Sequence, residues 1–449
     1  MVLGIAPRDA RLPGGGILPE RAPFIRSARG LGVLALLIWS GRGRADSPPQ
    51  LELAAAVARA RANNPLVAAA RLRIGEARGD LIGASVLLAD NPEVELAAGP
   101  RLPGRGEATT IAIELGASQR FELGGQRSHR LDKARAEVEA SSATAADVER
   151  VIDLAVAETF FEALAAAERL RLAEQNEQLA SQLLELAQKR LDAGEGTPLD
   201  VRASRVRGAE AKRLMLAARA NQRAKTAQLA KLLALEPDGQ LALAGELPTE
   251  GALPPFAEVA ARVAARPDLA SVDHELEAAR ATIGLADAEA WPDLTARVLY
   301  GRDEGADTAM AGLGVPVPLF DTNQGERARA RAVVDRLGAE RAALLLQLTT
   351  EVRLAWLALE QAQAAVALYD AEVLRALEET AELLQRALRA GEVGLPEVIV
   401  VQREVLEGRA GHVEARLTLA IARARLLAAT HLPQVPQVPH GASSLGGAQ

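Results

Sequence analysis

Ala193-Gly194-Glu195-Gly196-Thr197-Pro198-Leu199-Asp200-Val201 returns later in the chain as Ala390-Gly391-Glu392-Val393-Gly394-Leu395-Pro396-Glu397-Val398, and each copy lies between two long helical patterns. Glycine permits the tight reversal that ends one helix. Proline near the start of the returning helix is tolerated, because its missing N–H would have no partner inside the helix anyway. An acidic residue in that first turn, Asp200 or Glu397, meets the positive end of the helix dipole. The stretch predicts a helical hairpin tip, made twice.

Other landmarks match outward from the tips, at an offset of about 198 residues. Asn64-Pro65-Leu66 with Asn91-Pro92-Glu93-Val94 corresponds to Arg266-Pro267-Asp268-Leu269 with Trp291-Pro292-Asp293-Leu294. Leu115-Gly116 and Phe121-Glu122-Leu123-Gly124-Gly125-Gln126 correspond to Leu313-Gly314 and Leu319-Phe320-Asp321-Thr322-Asn323-Gln324. Three landmarks in one order identify a tandem duplication.

Each half reads as a helix, two short strands, then two long helices. The first has a helix over about 51–90, strands near 93–99 and 108–117, and long helices near 125–192 and 198–236. The second has a helix over about 256–290, strands at 293–301 and 308–316, and long helices at 324–390 and 396–431. Leu172, Leu179, Leu183 and Leu186, and in the copy Leu374, Leu377, Leu384 and Leu388, recur at coiled-coil spacing. A helix of about 65 residues extends roughly 100 Å, far more than a compact domain needs.

The strands carry another signal. Ile111, Ile113 and Leu115 alternate with Ala112 and Glu114, while Leu294, Ala296, Val298 and Tyr300 alternate with Thr295, Arg297 and Leu299. Alternation over about nine to eleven residues suits a tilted strand crossing a membrane, apolar side chains toward lipid and polar ones toward a lumen. A small soluble sheet capping the helices is the other reading. Four strands cannot close a barrel, whose smallest membrane form has about eight, so strands in lipid would require several chains to share one barrel.

Composition agrees with long helices: aromatics are 2% and charged residues 25%. The net charge of -7 comes from 52 basic and 59 acidic residues mixed along the same segments, so no patch for nucleic acid emerges. Cysteine is absent, which excludes disulfides, thiolate metal sites and an N-terminal lipid-bearing cysteine. Arg26 and Arg29 before the apolar run Leu31–Trp39, followed by Gly43-Arg44-Ala45, read as a secretory signal cleaved after Ala45. No later stretch has about 18 uninterrupted apolar residues, so a membrane role falls to the strands. The expected organisation is a leader over 1–45, repeats over 46–245 and 246–432, and a disordered tail over 433–449.

This arrangement, from about Leu51 to His431, resembles the TolC-like outer-membrane efflux channel family. The stretch Val315-Pro316-Val317-Pro318-Leu319-Phe320-Asp321-Thr322-Asn323-Gln324-Gly325 looks closest to its heavy-metal, cobalt-zinc-cadmium branch. The resemblance implies a mostly α fold with a small β part, in which two β-hairpins per chain join a trimeric, twelve-stranded barrel above a helical periplasmic tunnel. It further implies docking of the tips onto a periplasmic adaptor that couples the duct to an inner-membrane pump of the resistance-nodulation-division type, with no catalysis and no cofactor. The docking residues would be Gly194, Gly196, Pro198, Leu199 and Asp200, with Gly391, Gly394, Leu395, Pro396 and Glu397. Turn chemistry alone also explains their Gly and Pro.

Some family members narrow the periplasmic entrance with charged side chains just beyond the second tip. Here no acidic pair occupies that turn, and Gln402, Arg403 and Glu404 are the candidates, with an exposed helical salt-bridge pattern as the alternative. Aromatics near the strands reduce to Phe121, Trp291, Tyr300 and Phe320, a thin girdle for a barrel. His129, His274, His412, His431 and His440 are scattered, and the neighbours in Asp273-His274-Glu275 point in different directions on a helix, so no metal site is expected. Two other classes remain: a periplasmic adaptor, which would show one hairpin flanked by β-rich domains, and a structural coiled-coil protein, which explains neither the leader nor the strands.

Overall fold

The computed structural model describes residues 50–101, 110–236, 241–250, 253–303, 306–390 and 392–434. The leader, the tail beyond Gln434, the start of the second predicted strand and Gly391 lie outside them.

The helix expected over 51–90 is two helices, α1 (Leu53–Asn63) and α2 (Pro65–Ser85). Proline at the first position of α2 removes the N–H that would continue α1, and Asn64 fills the joint. Its Oδ1 accepts from the Leu66 N–H at 2.9 Å, and its Nδ2 donates to the Leu232 carbonyl at 2.9 Å. The corresponding segment of the second half is α5 (Phe256–Ala261), a 3₁₀ turn (Arg262–Ala265) and α6 (Pro267–Ala288), broken at its own proline.

The long helices of the first half are α3 (Gln126–Asp192), 67 residues without interruption, and α4 (Pro198–Leu232). The second half departs from this plan. The helix expected over 324–390 is split into α7 (Gln324–Ala367) and α8 (Ala371–Ala390) before α9 (Leu395–Ala429) returns. Asp370 causes the break: its Oδ1 accepts from the N–H groups of Glu372 and Val373 at 3.0 and 2.8 Å, capping a new helix start.

Each repeat has its own core. Ala56, Val57, Ala60, Val67, Val156, Phe160, Leu229 and Leu233 tie α1 and α2 to the first hairpin. Val259, Val263, Leu348, Val352, Leu359, Leu419 and Leu426 do the same for α5, α7 and α9. Each large side chain fully buried here contributes about 1.5–3 kcal/mol. Ala165 of α3 with Val413, Leu417 and Ala420 of α9 joins the halves.

Strands β1 (Glu93–Arg101), β2 (Thr110–Phe121), β3 (Leu294–Asp303) and β4 (Ala306–Gly314) form one antiparallel sheet in the order β1-β2-β3-β4. The predicted strands are present, with β2 running further toward α3 than expected. The pairing β2–β3, Leu115 opposite Tyr300 and Ala117 opposite Val298, fuses the two repeats into a single surface.

Candidate functional site

Register sorts the sheet into two unlike faces. Leu96 opposite Leu115, Leu115 opposite Tyr300 and Tyr300 opposite Ala309 place Val94, Leu96, Ile113, Leu115, Val298, Tyr300 and Leu313 together on one side. On the other side stand Glu93, Glu95, Glu114, Ser118, Arg120, Thr295 and Arg297, with Gly116, Gly301 and Gly312 between them. The apolar side chains are not covered by the chain itself: Leu96 is 72% exposed and Leu313 74%. At the far end of that face Arg302 pairs with Asp307 at 3.7 Å, and the Tyr300 hydroxyl donates to the Asp307 carboxylate at 2.8 Å. Within the described residues β1 and β4 each keep one edge without a partner strand.

Where α3 ends, 67 residues from the sheet, the first tip is built as its sequence suggests. Gly194 adopts φ 79°, a left-handed conformation that costs any other residue energy. The N–H groups of Glu195 and Gly196 both donate to the Arg190 carbonyl, at 2.8 and 2.9 Å, closing the end of α3. A Cβ on Gly196 would come within 2.9 Å of the Leu191 nitrogen, so the chain must pass here without a side chain. Thr197 and Asp200 then form a reciprocal cap: the Asp200 N–H donates to Thr197 Oγ1 at 3.2 Å, and the Thr197 N–H donates to Asp200 Oδ2 at 3.0 Å. The Thr197 hydroxyl, followed by its backbone N–H, holds the Asp200 carboxyl below the usual aspartate range. Leu199 projects outward, 73% exposed.

The second tip uses a shorter version of the same cap. Leu395 and Pro396 open α9, and the Gly394 N–H donates to Glu397 Oε2 at 3.2 Å. Gly391 lies outside the described residues. The two tips are neighbours: Leu183 and Ala187 of α3 pack with Val201 of α4 and Val398 of α9, all buried.

The entrance residues part ways. Gln402 is 4% exposed, and its Nε2 donates to Asn176 Oδ1 at 3.0 Å across α3 and α9. Its own Oε1 is buried with no hydrogen-bond partner. The pair borders a cavity of about 450 Å³ lined by Gln175, Gln178, Gln182, Glu378 and Arg409. Arg403 stands exposed, with Glu407 as its ionic neighbour at 3.7 Å, and Glu404 is exposed beside it.

Sequence reasoning missed a joint above this cavity. Tyr369, in the break between α7 and α8, stacks on His412 of α9 with ring centroids 5.3 Å apart. Its hydroxyl lies where a Cβ on Gly411 would collide with it, and Leu377 crowds Gly408 in the same way. Burial, then the charge of Arg416, pushes the His412 imidazole below its ordinary value, with Glu168 opposing. The signal available was a glycine pair, Gly408 and Gly411, where the first repeat has the ion-paired Glu210 and Arg213.

Among the described residues no three His, Asp or Glu side chains gather as a metal-holding group. His274 instead contacts Glu277 at 3.1 Å, and Asp273 pairs with Arg341. The described residues offer two unlike surfaces, the apolar sheet face and the paired hairpin tips.

Comparison with known proteins gives a consistent picture. Residues 56–235 and 261–430 match the family described as outer membrane efflux protein, so the family's unit falls once on each repeat. The chain is 28% identical over 362 residues to the cobalt-zinc-cadmium resistance protein CzcC of Cupriavidus metallidurans, covering 80% of this chain and 85% of that protein. It is 29% identical over 418 residues to the pyoverdine export outer membrane protein OpmQ of Pseudomonas putida, covering 84% of each. Among solved structures, the outer membrane protein VceC of Vibrio cholerae superposes with a TM-score of 0.69 at 18% identity, covering 85% of this chain and 97% of that one. The open MtrE channel of Neisseria gonorrhoeae does so at 0.69 and 20%, covering 85% and 89%.

Proposed function

The chain belongs to the outer membrane efflux protein family, and on that premise we propose that three copies form a passive export duct, the outermost part of a tripartite efflux system. One observation carries the reading: a four-stranded sheet with an exposed apolar face and, among the described residues, two unpaired edges. In hydrocarbon every backbone N–H and C=O needs a partner, so the edges of β1 and β4 must meet other strands. Three copies of four strands supply twelve, enough to close a barrel with the apolar face toward lipid and the Glu, Arg, Ser and Thr face toward water.

The helices then extend from the barrel into the periplasm and end at the paired tips. Gly194, Gly196, Pro198, Leu199 and Asp200, with Gly391, Gly394, Leu395, Pro396 and Glu397, present a small docking surface for a periplasmic adaptor. The adaptor in turn links the duct to an energised inner-membrane pump of the resistance-nodulation-division type. Solute moves down a hydrated lumen, so the duct needs neither a reacting group nor a cofactor. With no cysteine to carry a lipid, attachment to the membrane rests on the barrel.

The two curated relatives differ in cargo by name, one a metal-resistance protein and the other a pyoverdine exporter. The Pro-Leu-Phe-Asp and Asn-Gln-Gly stretch before α7 favours heavy-metal cations for this chain. Deleting the gene and measuring growth and cell-associated metal on cobalt, zinc and cadmium tests this directly. Sensitisation to one or more of these ions, with metal retained in the cells, is the expected result. Unchanged metal tolerance together with lost pyoverdine secretion would assign the organic cargo instead.

A further inference from the structure

On β3 and β4 the apolar face of the sheet is short. It ends outward at Arg302 and Asp307, paired at 3.7 Å, and begins on the helix side at Leu294, the first residue of β3. From Leu294 to Arg302 the strand rises roughly 26 Å at about 3.3 Å per residue, and a tilt of about 40° leaves roughly 20 Å across a membrane. The apolar band of an outer-membrane barrel is about 25 Å tall. The charged pair closes the outward side of these strands, so the missing height must come from the helix side.

The sequence continues there. Ala309, Ala311 and Leu313 share one face of β4, and the alternation runs on past the strand through Val315, Val317 and Leu319, with Pro316 and Pro318 between them. Each proline keeps the residue before it extended and brings no N–H that would need a partner away from water. The stretch therefore prolongs the apolar face of β4 without a partner strand. Val317 is 71% exposed, Leu319 74% and Phe320 91%. Polar groups follow at once: the Asp321 carboxylate accepts from the Asn323 N–H at 2.9 Å and closes the stretch.

The other crossings between helix and sheet repeat the pattern. Leu87 between α2 and β1 is 75% exposed, Leu123 between β2 and α3 62%, and Trp291 between α6 and β3 69%. A Cβ on Gly124 would stand 3.1 Å from the Trp291 Cβ, so the last two crossings lie side by side. They serve the central strands, away from the free edges of β1 and β4 at which another copy would be met. A neighbouring chain at either edge does not cover them. The Trp291 indole N–H donates to no group among the described residues, whereas that of Trp356 donates to the Pro254 carbonyl at 2.9 Å. Exposed apolar surface of this extent marks a contact with another body, and here it is continuous with the apolar face of the sheet.

We propose that Leu87, Leu123, Trp291, Val317, Leu319 and Phe320 form a collar that enters the periplasmic leaflet of the outer membrane, at the boundary between phospholipid acyl chains and headgroups. The inference rests on the shared barrel above and adds what sets the depth of the duct in the bilayer. An indole at that boundary keeps its ring among the chains and its N–H among the headgroups. The girdle of this chain is thin in aromatics because most of its lipid contact below the strands is aliphatic.

The chain has three tryptophans, Trp39, Trp291 and Trp356. Trp39→Phe with Trp356→Phe leaves Trp291 as the sole reporter, and Trp39→Phe with Trp291→Phe leaves Trp356. Each full chain is reconstituted in phosphatidylcholine vesicles whose acyl chains carry bromine either near the glycerol or near the methyl end. Trp291 is expected to lose its emission with bromine near the glycerol and to keep most of it with bromine near the methyl end, while Trp356 emission is the same in both. Phe320→Trp in a chain with all three native tryptophans replaced by Phe should respond as Trp291 does. Heat-sensitive trimer in which neither Trp291 nor the Phe320→Trp variant is quenched overturns the collar and leaves the duct intact. Stronger quenching from the methyl end puts the crossings at the bilayer centre and overturns the boundary position. Absence of any trimer from vesicles holding the unsubstituted chain removes the duct and this inference together.

Discussion

Gln402 of α9 and Asn176 of α3 are bound to each other, amide to amide at 3.0 Å, with both side chains out of water. A buried amide pair in a coiled coil fixes register at a cost in stability, because every polar atom left over stays desolvated. Asn176→Ala strands both ends of Gln402 and should lower stability by about 1–3 kcal/mol. Asn176→Leu with Gln402→Leu removes both partners and should be near neutral. Thermal unfolding of the purified protein compares the two; a double variant as unstable as the single one would show that the pair does more than satisfy itself.

The tips separate folding from docking. Thr197→Ala removes a cap and should destabilise by about 1 kcal/mol. Leu199→Asp changes an outward side chain and should leave unfolding unchanged while reducing export in cells. Gly394 and Pro396 replaced by bulky charged residues should abolish resistance with trimers still in the outer membrane. Loss of the trimers themselves would assign these residues to folding alone.

Tyr369 and Gly411 form a lock-and-recess contact. Gly411→Ala drives a methyl into the Tyr369 hydroxyl, an overpacking expected to cost about 1–3 kcal/mol. Tyr369→Phe in the same chain removes the hydroxyl, and the remaining contact to the ring carbon, 3.4 Å, is ordinary. The double variant should regain the lost stability and add the helix propensity of alanine, up to about 1 kcal/mol. Equal destabilisation of single and double variants in urea unfolding would place the joint elsewhere.

His412 gives the helical body a pH dependence. Burial, then Arg416, lowers its folded-state value, and burial does the same for His431. The unfolded chain thus binds protons that the folded chain refuses. Stability is fully present above the unfolded value, about 6.5, and falls as pH drops toward the lowered one. Unfolding midpoints measured from pH 7.5 to pH 5 should decline, and His412→Gln with His431→Gln should flatten the decline. A profile unchanged by the substitutions would assign the effect to carboxylates.

Much of this was legible in the sequence because the fold repeats itself. A Gly/Pro turn between two leucine-spaced helices is a local signal, and finding it twice fixed the hairpins, the order of elements and the strand pairs. Asn64 with Pro65 was equally local, since proline disrupts α1 through its own missing N–H. The break at Leu368-Tyr369-Asp370 left no such mark: it contains neither glycine nor proline, and an aspartate that caps α8 reads, within a charged helical stretch, like any other surface carboxylate. The burial of Gln402 was also hidden. A glutamine one turn beyond a tip reads as a surface residue until α3 is known to lie across it.

The most direct measurement is fractionation of cells making the protein, followed by mild-detergent gel analysis with and without heating. A band of three chains in the outer membrane that collapses to one on heating is the expected result, because no single chain can close the sheet. A soluble periplasmic monomer or dimer would contradict the shared barrel and return the chain to the adaptors or to plain coiled coils.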